Sequence, residues 1–136
     1  MKYLILLASA CLAAGCTTDT EDRVDMAAND EASLASQLRG LEPAGPPVQC
    51  VSTRDLQGNR SAGETAIVFS GIGGRKWVNR PAAGCPDLGF SRALKTRTTG
   101  SQLCRGDIAV VFDPVSGIDY GGCGLGDFEP YRRARG

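Results

Sequence analysis

The most regular hydrophobic pattern lies in the middle of the chain. From Thr65 to Ser70, apolar residues alternate in two registers: Ile67 and Phe69 on one side, Ala66 and Val68 on the other. That pattern predicts a strand. Gly71-Ile72-Gly73-Gly74 predicts a turn, and Arg75 to Asn79 a returning strand with Trp77 opposite Lys76 and Val78. Arg80-Pro81 ends this hairpin. Asp107 to Asp113 is the most apolar segment, with Ile108, Val110 and Phe112 on one side and Ala109 and Val111 on the other. Such a strand is expected at the centre of a sheet, buried on both faces. Arg92 to Gly100 reads as a surface strand and Ser116 to Tyr120 as a last short one. "CVSTRDLQGNR" fits either a strand or a helical turn.

The segment before Cys50 is patterned differently. Lys2 precedes an apolar run from Leu4 to Ala14, about half of the ~20 residues that span a bilayer. A basic start, an apolar middle and small residues make a secretory signal. From Thr17 to Glu31, Asp19, Glu21, Asp22, Asp25, Asp30 and Glu31 face only Arg23, which predicts a flexible spacer. Leu34, Leu38 and Leu41 then follow at helical spacing, with Asn29 or Asp30 as cap and Gly40 as stop. This predicts a short helix near 30–39. Pro43, Pro46 and Pro47 keep the next residues extended.

The expected organisation is a signal over 1–15, an acidic tether over 16–47, a domain over 48–131 and a basic tail over 132–136. The expected fold is mainly β: a small antiparallel barrel or curled sheet of five or six short strands. At this size a hydrophobic core alone is marginal.

Cysteines supply the missing constraint. Cys11 leaves with the signal, and Cys50, Cys85, Cys104 and Cys123 form an even set in a small exported domain, which implies two disulfides. Three pairings are open. The favoured one joins Cys85 to Cys104 and Cys50 to Cys123, stapling the "GCPDLGF" loop to the central strand and the start of the domain to its end. "GGCGLGDF" then reads as a tight glycine corner around Cys123, with Phe128 returning to the core. Zinc would need close cysteine pairs, often with histidine, and the nearest of these four are 19 residues apart in a chain without histidine. No metal or cofactor is expected.

The absence of histidine also removes Ser-His-Asp and Cys-His catalysis. Lys76 and Lys95 lie on strands read as exposed. Asp107, Asp113, Asp127 and Glu129 are the carboxylates available for acid–base work, but they sit at strand ends and turns, where aspartate is common. "RGD" at Arg105–Asp107 is a three-residue match, and "GIGG" lacks the lysine of a phosphate-binding loop. From Cys50 onward twelve basic residues face eight acidic ones, a balance of +4. Arg75, Lys76, Trp77 and Arg80, with Arg92, Lys95 and Arg97 nearby, form a candidate binding face. Its partner would be anionic: lipopolysaccharide, peptidoglycan carboxylates or the acidic tether itself. The favoured alternative is an ordinary charged surface with Trp77 in the core. Export excludes nucleic acid.

Two resemblances complete the picture. Ala13-Ala14-Gly15-Cys16 resembles the bacterial lipobox, although the usual leucine stands one place further back, at Leu12. This implies lipidation of Cys16 and a membrane anchor. Thr17 in place of aspartate implies sorting to the outer membrane, facing the periplasm. Cleavage after Ala10 or Gly15 would instead give a soluble periplasmic or secreted protein. "CVS", "CPDLGF", "QLCRGDI" and "CGLGDFEPY" at the four cysteines, with an asparagine ahead of the second, resemble a family of small exported bacterial proteins with a four-cysteine domain of unknown function. The resemblance covers 48–131, and Asn79-Arg80-Pro81 departs from it where a leucine is expected near Pro81. It implies an envelope location and a compact domain, without catalytic residues or cofactor. The expected function is non-enzymatic binding or scaffolding by a lipid-anchored envelope protein. The alternative is a carboxylate-based enzyme acting on an envelope polymer.

Overall fold

The computed structural model describes residues 18–89 and 92–135. The signal and Cys16 lie outside the described residues, as do the last two residues of "CPDLGFS". Helix α1 (Thr18–Gln37) precedes the strands β1 (Leu41–Pro43), β2 (Cys50–Ser52), β3 (Leu56–Ala62), β4 (Ala66–Gly71), β5 (Lys76–Asn79), β6 (Ala93–Thr96), β7 (Gln102–Cys104), β8 (Ile108–Phe112), β9 (Asp119–Gly124) and β10 (Phe128–Arg133). All strand pairings are antiparallel. One sheet has the order β1-β10-β5-β4-β3, a second β6-β8-β9, and β2 pairs with β7.

The fold is therefore mainly β, as expected, but among the described residues the sheets do not close into a barrel and there are ten strands where five or six were expected. The additional strands carry little periodic signal. β1, β2 and β7 are three residues each, and β3 is the mostly polar segment Leu56–Ala62. Their pairing is decided by neighbours rather than by their own side chains. The basic tail also begins later than expected, because Arg132 and Arg133 belong to β10.

The β4–β5 hairpin forms as read, with Phe69 opposite Trp77 and Val68 opposite Val78. Paired residues point to the same face, so two cores result. Ile67, Phe69 and Trp77 face the main core, where the Phe69 and Phe128 rings lie 5.6 Å apart at 59°. Ala66, Val68 and Val78 face the other way and pack with Ala62 against Leu34 of α1. β8 is central in its sheet, but only Ala109 and Val111 are buried. Ile108 is 54% exposed, so one face is covered and not both.

The helix is longer than the expected 30–39 and is not confined to a flexible tether. No Gly or Pro interrupts Thr18–Gln37, and its acidic residues cluster near the N-terminus, where the helix dipole favours them. The same charges that suggested a disordered spacer therefore suit a helix start. Asp30 Oδ2 accepts the Glu64 N–H at 3.0 Å, and Gln37 Nε2 donates to the Ser61 carbonyl at 2.8 Å. The following segment joins the sheet through β1 and the Val48–Phe128 bridge. Burying Leu34 contributes about 2 kcal/mol.

The disulfides are Cys50–Cys104 and Cys85–Cys123, which corrects the expected Cys85–Cys104 and Cys50–Cys123. β2 lies antiparallel to β7 with Cys50 directly opposite Cys104, so strand pairing rather than chain order selects the partner. Each bridge closes a loop, of 54 and 38 residues. Loops of this length correspond to ~4 kcal/mol each in the chain-entropy description. Two disulfides fit an oxidising, extracytoplasmic compartment. No described helix is long and apolar enough to cross a membrane.

"GGCGLGDF" is not a corner around Cys123. Gly121 to Gly124 lie within β9, and the turn follows at Leu125–Asp127. Asn79, the buried polar residue of the core, holds that turn: its Nδ2 donates to the Gly126 carbonyl at 2.7 Å and its Oδ1 accepts the Gly126 N–H at 2.9 Å. A Cβ at Gly126 would meet the Arg80 carbonyl oxygen at 2.4 Å.

Gly63, at φ +63°, is the seat of the helix, and a Cβ there would lie 1.6 Å from Asp30 Oδ1. Gly63→Ala is expected to cost on the order of 1–2 kcal/mol in backbone strain and to displace Asp30. Hydrogen exchange should then show lost protection over 30–38 with the β sheets still protected. Unchanged helix protection would refute this role.

Candidate functional site

A cavity of about 680 Å³ opens where α1 ends and leaves the helix side of the five-stranded sheet uncovered. Ser36, Gln37 and Arg39 form one wall, and Gln57, Gly58, Asn59, Arg60, Ser70 and Lys76 the rest. The register explains the floor. Gly58 pairs with Ser70 and Ser70 with Lys76, so the sheet here carries short or polar side chains where it carries Val68 and Val78 beneath the helix. An irregularity between Leu56 and Gly58 interrupts the ladder at Gln57.

Three cations line this cleft and no carboxylate does. Arg39 and Arg60 are exposed and form no ion pair among the described residues. Lys76 Nζ donates to the Gln37 carbonyl at the end of α1. It neutralises the negative end of the helix dipole and holds the helix end in place. The result is a positive, hydrogen-bonding concavity suited to an anion.

The candidate face Arg75, Lys76, Trp77 and Arg80 is not one surface. Lys76 faces the helix side, whereas Trp77 is only 8% exposed and packs in the main core. Alternation along β5 forces that separation. Arg80 pairs with Glu31 at 2.8 Å and lies 3.7 Å from Glu129. The Glu31 hydrogen bond raises its pKa above the ordinary arginine value despite partial desolvation. Of the anionic partners considered for this face, the acidic segment itself therefore engages Arg80. Arg92 pairs with Asp87 at 2.8 Å and lies 3.6 Å from the Tyr120 ring centroid, and Lys95 pairs with Asp119.

The carboxylates serve turns and ion pairs. Asp107 Oδ2 accepts the Cys104 N–H at 2.7 Å, so "RGD" forms the β7–β8 turn. Asp113 accepts the N–H groups of Val115 and Ser116 beyond β8. These two acids bracket β8 and stand ~20 Å apart along a strand rising ~3.3 Å per residue. The carboxylate pair of a glycoside hydrolase stands ~5–9.5 Å apart. Asp127 lies 3.5 Å from Arg105, and its Oδ1 is shielded without a formed hydrogen bond. Glu129 belongs with Arg80. Among the described residues no group of three or more acidic or cysteine side chains could hold a metal ion.

Arg39 and Arg60 were not among the residues the sequence singled out. Arg39 stands at the end of a short amphipathic segment and Arg60 in a stretch of ambiguous structure. Only the antiparallel register and the docked helix bring them to Lys76. No family model, curated protein or solved structure matches the chain.

The Asp113 carboxyl is held below the ordinary aspartate pKa by the Ser116 and Val115 N–H groups. It contributes stability above its unfolded pKa and loses it as pH falls through the lowered folded value. An NMR titration of its side-chain carboxyl should give a midpoint below that of the unfolded chain. A midpoint at or above that value would refute the turn-capping role.

Proposed function

We propose that this protein is a lipid-anchored envelope module that binds an anionic envelope component through the cleft at the end of α1. The supporting observation is the cleft itself: Arg39, Arg60 and Lys76 around one concavity without a carboxylate. Resemblance to the lipobox supports anchoring at Cys16, two residues before Thr18 begins the helix. Three acyl chains, each buried methylene contributing ~0.8 kcal/mol, would make that attachment effectively permanent. The outer membrane is the proposed site, with the domain facing the periplasm.

The helix gives this arrangement a direction. It meets the β3–β4 turn at Asp30 and reaches Lys76 at Gln37, so its C-terminal end lies at the cleft. Thr18–Gln37 spans 20 residues, and at 1.5 Å per residue this is about 30 Å. The cleft would therefore stand about a helix length from the anchor. The first half carries Glu21, Asp22 and Asp25, all exposed, against Arg23, so it does not compete for an anionic partner. The function proposed is binding or scaffolding, with no chemical step.

Anchoring is tested by Cys16→Ser, which should abolish fatty-acid labelling and release the protein from the membrane fraction. Unchanged retention would overturn the anchor. Binding is tested by titrating the domain with soluble poly-glutamate and by sedimentation with purified peptidoglycan. Arg39→Glu with Arg60→Glu should weaken binding about tenfold or more, at roughly 1 kcal/mol per reversed charge. Added salt should weaken wild-type binding. Binding insensitive to both would overturn the cleft assignment.

A further inference from the structure

We propose a second ligand site, independent of the helix-side cleft: the hollow beside Trp77 binds a small carboxylate carried on a compact apolar or sugar-like body. This hollow holds about 320 Å³ and is lined by Ala44, Arg75, Trp77, Pro130, Tyr131 and Arg132. Pro130 and Trp77 are register partners of β10 and β5 and so share the face opposite Lys76. Ala44 closes on them, its N–H donating to the Pro130 carbonyl at 2.8 Å. Backbone pairing therefore fixes Ala44, Trp77 and Pro130 against one another.

Two guanidinium groups line the hollow. Arg132 is held by Glu42 at 3.2 Å, while Arg75 is exposed and forms no ion pair among the described residues. The neighbouring cleft of about 400 Å³ shares Arg75 and Trp77 and carries Asp55, which makes no ion pair with Arg75. An anion is accordingly favoured on the Arg132 side. Trp77 adds an aromatic wall, the residue being 8% exposed. Gly71 holds the ring in place, because a Cβ there would lie 2.3 Å from Trp77 Cζ3. An unpaired guanidinium beside Ala44, Trp77 and Pro130 matches a carboxylate attached to a compact, partly apolar group.

Trp77 is the one tryptophan in the chain, so its fluorescence reports on this site. The probes are N-acetylalanine against N-acetylalanine amide, and glucuronate against glucose. A saturable change is expected with one or both carboxylates and not with the neutral analogues. The first pair identifies a peptide-terminus ligand and the second a sugar acid. Arg75→Gln should weaken binding about tenfold or more, and Arg97→Gln, on an exposed loop that does not line the hollow, should leave it within twofold. Trp77→Ala, followed by calorimetry, should weaken binding by removing the aromatic wall. If that variant does not fold, Arg75→Gln alone decides. The proposal is overturned by no saturable response, an equal response to neutral analogues, or full affinity in Arg75→Gln. The two sites share no lining residue, so failure here leaves the poly-glutamate test intact, and the reverse.

Discussion

A strand pair that is apolar on both faces has to be covered twice. β4 and β5 present Ile67, Phe69 and Trp77 to one side and Ala66, Val68 and Val78 to the other. The three-stranded sheet, the β2–β7 pair and the loop around Cys85 cover the first side. No strand is left for the second, and α1 fills it through Leu34 and Leu38. Leaving those valines in water would forgo about 1.5–3 kcal/mol per side chain. Docking of an otherwise marginal helix is thus set by the hairpin it covers.

The cover is incomplete, and that gives the molecule its candidate site. The helix stops at Gln37, while the sheet beneath continues to Ser70 and Lys76. Where the cover ends, the side chains change from Val68 and Val78 to Gly58, Ser70 and Lys76, with Arg60 beside Val68 at the edge. The sheet is therefore dry under the helix and polar and cationic beyond it. At the opposite end, Asp30 and Glu31 are consumed by the Gly63 turn and by Arg80. Acidic groups lie at the helix-entry end, and free arginines at the far end.

Polar and covalent fasteners keep the two sides in register. Asn79 holds the Leu125–Asp127 turn through both amide atoms, and Cys85–Cys123 joins the adjoining loop to β9. A buried amide with both partners satisfied avoids the cost of an unpaired polar group. It also fixes where Phe128 enters the core, and thereby where β10 places Pro130 and Arg132 beside Trp77.

Much of the local structure was legible in the sequence. The β4–β5 hairpin, the strand at β8, the helical spacing of Leu34 and Leu38, and the even cysteine count all follow from local pattern. So does the core position of Trp77, once alternation along β5 is taken seriously. Strands β1, β7 and β10 were not legible as such, β2 and β3 fell in a segment that fitted either a strand or a helical turn, and β9 was anticipated only at Asp119 and Tyr120, because three-residue, polar or glycine-rich strands depend on pairing rather than side-chain period. Disulfide partners were decided by the antiparallel register that sets Cys50 opposite Cys104. Arg39 and Arg60 became site residues for the same reason. Hydrophobic period and cysteine number are properties of a segment, and the sequence alone determines them. Which segments lie side by side depends on the free energy of covering the whole hairpin, and only the tertiary structure decides that.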